Sequence, residues 1–180
     1  MKSEIKTGLI FGIIILVGTI SLYLFYTEID LKKNTTNQLE IQNKDLLKKA
    51  PPLKGMTGLI NTTENNLDRL IQDKVVLYDF WTYSCINCIR TLPYITAWDE
   101  KYREQGLVII GIHTPEFEFE KNQENVLTAV NKFGVNYPVV LDNNKDIWDS
   151  FENRYWPRKY IADDEGYIRF DHIGEGAYKE

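Results

Sequence analysis

The sequence has few of the residues that build disulfide scaffolds or metal centres. Among 180 residues it has two cysteines, Cys85 and Cys88, and two histidines, His113 and His172. A disulfide between such close cysteines would restrict the unfolded chain little, so a purely stabilising bridge explains them poorly. Together the four residues are formally a zinc ligand set, but the histidines form no recognisable ligand pair with the cysteines. The sequence therefore favours a reactive cysteine pair over an inert disulfide or a zinc site.

An excess of positive charge is also lacking. The chain has 21 Lys and Arg against 26 Asp and Glu, which gives a net charge of -5. Without a basic surface, we expect no nucleic-acid partner. No internal repeat or low-complexity segment is present, and the length suits one ordinary domain with an appendage.

Residues 8–26 form a run without charge. At ~1.5 Å per residue, such a helix crosses most of a ~30 Å hydrocarbon core. Tyr23 and Tyr26 stand at its far end, where aromatic residues favour the membrane interface, and the lysines before it keep the N-terminus in the cytoplasm. We therefore expect a cytoplasmic N-terminus and transmembrane anchor over 1–27, with the rest of the chain outside the cytoplasm. A cleaved signal peptide is the alternative, but no small-x-small cleavage site follows.

Two further segments follow the predicted anchor. Residues 28–50 are rich in Lys, Asn and Gln, which is typical of a linker, and a helix between Gln38 and Lys48 is expected within it. Pro51 and Pro52 mark the start of the predicted domain, 51–180.

Hydrophobic periodicity over 51–180 predicts strands that alternate with helices and a hairpin at the end. Strands are predicted over 58–62, 74–80, 107–113, 138–142, 158–162 and 167–173, and helices over 67–71, 85–104, 119–133 and 144–151. The strand–helix–strand unit from 74 to 113 implies a parallel pair of strands. The expected fold is α/β, with a central mixed sheet flanked by helices.

The cysteines stand as Cys-x-x-Cys between a predicted strand and a predicted helix. Cysteines three apart at a helix start lie within one turn, so they can close and reopen a disulfide with little backbone movement. The helix N-terminus stabilises negative charge, so Cys85 should ionise more easily than Cys88. This arrangement indicates a redox-active dithiol.

Asp79-Phe80-Trp81, Cys85-Ile86-Asn87-Cys88 and Pro93 resemble the active-site region of thioredoxins. The wider string from Trp81 to Cys88 resembles the thioredoxin-like domain of DipZ-type cytochrome c biogenesis proteins, relatives of the membrane-tethered TlpA group. Segments 111–117 and 154–160 resemble later motifs of that family. The resemblance covers roughly Pro51 onward and implies a thioredoxin-like fold. Because the sequence ends at Glu180, we expect the family's final helix to be missing.

Roles can be assigned to three residues of the dithiol region. Cys85 is the expected nucleophile, because it lies nearest the helix start and next to the exposed loop, and Cys88, one turn in and partly buried, is expected to resolve the mixed disulfide. The resemblance implies that Asp79 is a buried acid that helps to move the resolving proton. Burial would raise the pKa of Asp79 toward a useful range. The alternative for Asp79 is a polar strand residue with its own hydrogen bonds.

Four further residues complete the predicted site. The resemblance implies a cis Trp156–Pro157 bond, where Pro157 leaves an open backbone edge for an extended substrate and Trp156 selects partners. Glu116 follows a strand end, where a carboxylate would tune the dithiol. Trp81, which should pack beside the active-site loop, is counted with Trp156 and Glu116 among the substrate-binding residues. The alternative for Pro157 is an ordinary loop proline, and the alternative for Glu116 is a solvated loop acid.

The expected function is that of a membrane-anchored thiol–disulfide oxidoreductase that reduces protein disulfides, for example in cytochrome c maturation. The example of cytochrome c rests on the resemblance alone. With a single span, a separate membrane electron donor is required. No cofactor beyond the Cys85–Cys88 disulfide and no metal are expected, and Ile89 after Cys88 excludes the haem motif Cys-x-x-Cys-His. The alternatives are a disulfide-forming oxidase or isomerase, and a non-catalytic binding module around Trp156 and Pro157.

Overall fold

The structure, a computed structural model, describes residues 18–35 and 46–178. The chain divides into two compact units, Met1–Leu46 and Leu47–Glu180. In the first unit, residues 18–35 form a helix, α1, which reaches into the predicted linker. Within the described residues, no helix combines the length and apolarity that crossing a membrane requires. The predicted span over 8–26 lies partly outside the described residues, as does most of the helix predicted within the linker.

The second unit alternates strands with helices and ends in a hairpin. Its strands are β1 (Gly58–Ile60), β2 (Val75–Trp81), β3 (Leu107–His113), β4 (Val139–Leu141), β5 (Arg158–Ala162) and β6 (Ile168–Ile173). Its helices are α2 (Glu64–Ile71), α3 (Ile86–Tyr102), α4 (Gln123–Lys132) and α5 (Asp146–Ser150), with 3-10 turns at Arg103–Gln105 and Glu118–Lys121. This is the predicted α/β order, and β6 is the last regular element of the part that the structure describes.

The six strands form one mixed sheet in the order β1-β4-β3-β2-β5-β6. Strands β2, β3 and β4 run parallel, whereas β1, β5 and β6 pair antiparallel with their neighbours. The two most apolar strands, β2 and β3, lie at the centre of the sheet, as predicted. Central strands are covered on both faces, so residues that point to either side are mostly apolar. Trp81 at the end of β2 lies opposite His113 at the end of β3, so the loops that follow both strands start at the same edge.

Two apolar clusters pack on the two faces of the sheet, because alternate strand residues point to opposite sides. Leu77 and Trp81 join one cluster with residues of α3 and α4. Phe80 joins the other, where its ring meets Trp148, Phe151 and Tyr160 edge-on, with centroids 5.2 to 6.0 Å apart. The helix that delivers the cysteines is thus held by core packing.

The helix predicted over 119–133 is two elements in the structure. A 3-10 turn occupies Glu118–Lys121, and α4 begins only at Gln123. Asn122 separates them, because its backbone is extended and its side chain accepts hydrogen bonds from the N–H groups of Glu124 and Asn125. The apolar periodicity continues through both elements, so it does not reveal this cap.

The second unit also begins earlier than predicted. Ala50 N–H donates to the carbonyl of Gly166 at 2.8 Å, and Ile168 N–H donates to the carbonyl of Lys48 at 2.9 Å. These bonds attach the chain to the outer side of β6 before Pro51, where the domain was expected to start.

Asp142, at the end of β4, fixes the start of α5. Its buried carboxylate accepts hydrogen bonds from the N–H groups of Ile147 at 3.0 Å and Trp148 at 2.9 Å. The hydroxyl of Thr114, just after β3, donates to the same carboxylate at 3.0 Å. One side chain therefore joins the ends of two neighbouring strands, β3 and β4, to a helix.

Replacement of this carboxylate should destabilise the fold. We expect Asp142→Ala to lower the free energy of unfolding by about 2–4 kcal/mol, because buried donors lose their acceptor. Urea denaturation measures the change. Asp149→Asn, an exposed position on the same helix, is the control and should change stability little. Equal effects of the two substitutions would contradict this account of Asp142.

Candidate active site

The two cysteines lie at the first turn of α3. Cys85 is the residue that caps the helix, and its sulfur accepts a hydrogen bond from the N–H of Cys88 at 3.3 Å. Both are free thiols; Cys85 is half-buried, and Cys88 is fully buried. An incoming disulfide can therefore reach Cys85, whereas Cys88 is reached only from within the protein.

The surroundings of the two thiols separate their pKa values. The Cys88 thiol, by donating a hydrogen bond to Cys85, lowers the pKa of Cys85 to about 7, helped by the backbone N–H groups of Cys88 and Asn87. Partial burial and the charge of Glu116 act against this decrease. Burial raises the pKa of Cys88 far above its ordinary value. The easier ionisation expected for Cys85 thus has a physical basis here, while its role as nucleophile stays a prediction.

Asp79 lies fully buried on β2, beside the dithiol. In the sheet it stands opposite Lys159 of β5, and the Lys159 ammonium is 3.5 Å from its carboxylate. Neither charged group has a hydrogen-bond partner among the described residues. Burial raises the pKa of Asp79 and Lys159 opposes the rise. The carboxylate also raises the pKa of Cys88, so the two groups interact electrostatically, as a proton-transfer role requires.

Lys159, the partner of Asp79, was not predicted from the sequence. Lysine within a strand usually faces solvent, but this side chain is only 4% exposed. The only signal was a lysine beside Arg158 at the start of a predicted strand, which does not identify a partner 80 residues earlier in the chain.

Trp81 does not fit the substrate-binding role predicted for it. Its side chain is fully buried, and its ring meets His113 edge-on at 5.4 Å. Tyr83 stacks on the other side of His113 at 5.6 Å, and burial lowers the pKa of His113 to about 4. Trp81 therefore packs beneath the active-site loop, as the sequence analysis also expected, without a surface that a substrate could touch.

Gly111, the β3 residue opposite Asp79, makes room for large side chains in this region. A Cβ atom there would lie 3.1 Å from the Trp81 indole nitrogen and 3.1 Å from the Tyr137 ring. The indole N–H of Trp81 and the hydroxyl of Tyr137 are buried without a hydrogen-bond partner in the described part of the chain. Burial and the charge of Asp79 both raise the pKa of Tyr137, so this hydroxyl and the Asp79 carboxylate interact electrostatically.

The Trp156–Pro157 peptide bond is cis, which confirms the expectation from the resemblance. Because Arg158 pairs with Phe80 near the end of β2, the buried Pro157 lies at the sheet edge from which the cysteine loop leaves. The half-buried Trp156 donates from its indole nitrogen to the carbonyl of Thr114 at 2.9 Å. This bond fastens the proline loop to the end of β3. Partner selection by Trp156 stays a prediction.

Glu116 is exposed in the loop after β3, and its charge raises the pKa of Cys85. A second carboxylate in this loop, Glu120, escaped the sequence analysis although it is fully buried. Glu120 accepts hydrogen bonds from the Ser84 hydroxyl at 2.5 Å and from the N–H groups of Glu116 at 2.6 Å and Phe117 at 3.0 Å. Burial alone would raise the pKa of Glu120, but these bonds and one from Thr82 hold it below its ordinary value. The available sequence signal was the position of Glu120, three residues after Phe117, where an acid can accept hydrogen bonds from the first N–H groups of a turn.

Exposed apolar side chains flank the dithiol. The rings of Phe117 and Phe119 stack 5.6 Å apart and are 49% and 56% exposed. Tyr83 lies 6.2 Å from Phe119, and Ile86, the residue after Cys85, is 57% exposed. These side chains provide an apolar surface that a polypeptide bound at Cys85 would meet.

The histidines occupy separate places. His113 lies behind the active-site loop, and His172 lies on β6. Among the described residues, no group of three or more His, Cys, Asp or Glu side chains is arranged to hold a metal ion.

Comparisons with known proteins agree with this fold. A model of the AhpC/TSA family matches residues 46–171. DipZ of Mycobacterium bovis is 47% identical over 131 residues, which are 72% of this chain and 19% of DipZ. The thiol-disulfide oxidoreductase YkuV of Bacillus subtilis is 28% identical over 129 residues, which are 72% of this chain and 86% of YkuV. The solution structure of a thioredoxin-like protein in the oxidised form aligns with a TM-score of 0.66 and 25% identity, and covers 75% of this chain and 89% of that one.

These similarities confirm the thioredoxin-like fold and the likeness to DipZ that the cysteine region indicated. The chain spans about a fifth of the length of DipZ, 19%, so the likeness concerns one domain of that protein. The chain belongs to the AhpC/TSA family, and its second unit is a thioredoxin-like domain of the kind found in thiol–disulfide oxidoreductases.

Proposed function

We propose that this protein is a thiol–disulfide oxidoreductase that reduces disulfides in polypeptide substrates. The observation that carries the proposal is the contrast within one helical turn between a half-buried thiol with a pKa of about 7 and a buried thiol whose pKa is raised. At neutral pH, Cys85 is partly thiolate and accessible, while Cys88 keeps its proton until the first step is over.

The cycle has two exchange steps. The Cys85 thiolate attacks one sulfur of a substrate disulfide, forms a mixed disulfide and expels the other substrate sulfur as a thiolate. Cys88 then loses its proton and attacks the Cys85 sulfur, which forms the Cys85–Cys88 disulfide and releases the second substrate thiolate. The substrate gains two electrons and the protein loses two, so a dithiol donor must restore the reduced pair.

Asp79 is the proposed acceptor of the Cys88 proton. Its burial raises its pKa, which brings its proton affinity closer to that of a thiol, and Lys159 limits the rise. The proton then remains within the buried region while Cys88 acts as nucleophile.

The surface around Cys85 suits an extended polypeptide. Pro157 has no N–H, and its carbonyl accepts from the N–H of Gly174 at 2.8 Å, so a substrate segment would pair with the backbone just before Pro157. Trp156, Phe117 and Phe119 add apolar contacts on either side. A protein segment, rather than a small thiol, makes use of all of these features.

The membrane setting is part of the proposal. The charge-free run over 8–26 would anchor the chain, and the second unit would work outside the cytoplasm with electrons from a separate membrane donor. The resemblance to DipZ-type proteins supports a substrate such as the cysteine pair of an apocytochrome c.

Cysteine replacement tests the chemical roles. Cys85→Ser should reduce turnover to background, whereas Cys88→Ser should trap a mixed disulfide with substrate, visible by mass spectrometry. In the wild-type protein, alkylation of Cys85 by iodoacetamide should rise with pH and be half-maximal near pH 7, because the thiolate reacts. Full turnover in both variants would contradict the catalytic proposal and favour a binding module.

Removal of Lys159 should change the pH dependence of the second step. Because Lys159 lowers the pKa of Asp79, we expect Lys159→Met to raise that pKa and to keep the carboxyl protonated at higher pH. Resolution of the mixed disulfide should then reach half of its maximal rate at higher pH. At a pH well below the midpoint, a rise of the midpoint by about one pH unit should slow resolution roughly tenfold. Stopped-flow single turnover measures the rate. Exposed Lys132→Met is the control, and an unchanged midpoint in Lys159→Met would count against the proton role of Asp79.

The reduction potential tests the direction of electron flow. For a reductase we expect the Cys85–Cys88 couple to equilibrate near about -270 mV in a thiol buffer, whereas about -120 mV would indicate a disulfide-forming oxidase. Fluorescence or alkylation of the full chain at defined thiol ratios gives the value. A pair that does not exchange with the buffer would contradict both enzymatic functions.

A further inference from the structure

Glu120 is a buried carboxylate that the proposed mechanism does not use. Its Oε1 accepts a hydrogen bond at 2.5 Å from the hydroxyl of Ser84, the residue directly before Cys85. Its Oε2 accepts from the N–H groups of Glu116 at 2.6 Å and Phe117 at 3.0 Å. One side chain therefore joins the loop that precedes the nucleophile to the loop that follows β3.

The charged and titratable groups around Glu120 do not neutralise it. Thr82 and Ser84 donate hydrogen bonds, and the imidazole of His113, whose pKa burial lowers to about 4, is neutral near pH 7. Tyr83 packs on His113, and burial together with the charge of Glu120 raises the pKa of Tyr83. Within the described residues, Glu120 thus has hydrogen-bond donors rather than a cation as partners, and such donors hold a carboxylate in a defined geometry.

The contact with Glu116 has a consequence for the dithiol. Glu116 is exposed, and an exposed glutamate on an unsupported loop would sample many positions. Its backbone N–H donates to Glu120 at 2.6 Å, and its charge contributes to raising the pKa of Cys85. A less stable thiolate disfavours the reduced pair, which suits a reductant.

We propose that Glu120 is a positioning residue of the dithiol: it binds the loop before Cys85 and the loop that carries Glu116, and thereby fixes where the Glu116 charge lies relative to Cys85. The inference deepens the proposed function, because it rests on Cys85 as the reacting thiol. It assigns control of the nucleophile to a side chain outside the Cys-x-x-Cys sequence.

Two substitutions separate position from charge. Glu120→Asp keeps the charge but is too short to reach both loops, whereas Glu120→Gln keeps the reach, since its carbonyl oxygen can accept both N–H groups and its amide can donate to Ser84. The measurement is the pH midpoint of Cys85 alkylation by iodoacetamide in the full reduced chain. We expect Glu120→Asp to lower the midpoint on the order of half a pH unit, as Glu116→Gln does, and Glu120→Gln to leave it near the wild-type value.

The double variant tests whether both residues act through one path. Glu116→Gln combined with Glu120→Asp should lower the midpoint no further than Glu116→Gln alone. Glu118→Gln is the control, because Glu118 is an exposed acid of the same 3-10 turn, and it should leave the midpoint unchanged.

Three results would overturn the inference: an unchanged midpoint in Glu120→Asp, a change of midpoint in Glu120→Gln rather than in Glu120→Asp, or additive changes in the double variant. The first would leave Glu120 with a structural role alone, and the second would show that its charge acts directly. The midpoint is measured without substrate, so it is independent of the turnover tests. If the proposed function is wrong, Cys85→Ser will retain activity, and this result does not depend on the Glu120 variants.

Discussion

The parallel pairing of β2 with β3 is the constraint on which the site depends. Its register places Trp81 opposite His113, so both strands end at one edge of the sheet. The loop with the dithiol and the loop with Glu116 and Glu120 therefore start side by side, although 31 residues separate the two strand ends. The antiparallel pairing of β5 with β2 brings Pro157 to the same edge. A hydrogen bond between Ser84 and Glu120 then connects the two loops that the sheet has placed side by side.

The charges beneath the dithiol are costly to bury. Asp79 and Lys159 are nearly inaccessible to solvent, and their separation of 3.5 Å is long for a strong charge-assisted hydrogen bond. Buried ion pairs often stabilise a fold less than apolar residues of similar volume would. The proposed role of Asp79 in moving protons would give such a pair a function that stability alone does not provide. The same reasoning applies to Glu120, which gains its stabilisation from donors that belong to two loops.

The sequence alone predicted the features that depend on local pattern. The strands, most helices and the position of the Cys-x-x-Cys pair followed from periodicity, and the cis bond before Pro157 followed from the resemblance. Features that depend on distant partners were missed. Lys159 is buried because strand register places it opposite Asp79, and no local pattern encodes register. Glu120 looked like one acid among several, because its donors belong partly to another loop. The cap at Asn122 was hidden by apolar residues that continue on both sides of it.

The backbone bonds that Lys48 and Ala50 make beside β6 bear on how the domain avoids association. A strand at the border of a sheet offers free N–H and C=O groups to any other extended chain, which promotes aggregation and strand exchange. Here the residues just before Pro51 occupy part of that border, with Lys49 bridged to Tyr167. The segment that leads into the domain thus also shields it, and a version trimmed at the prolines would expose a template for edge-to-edge assembly.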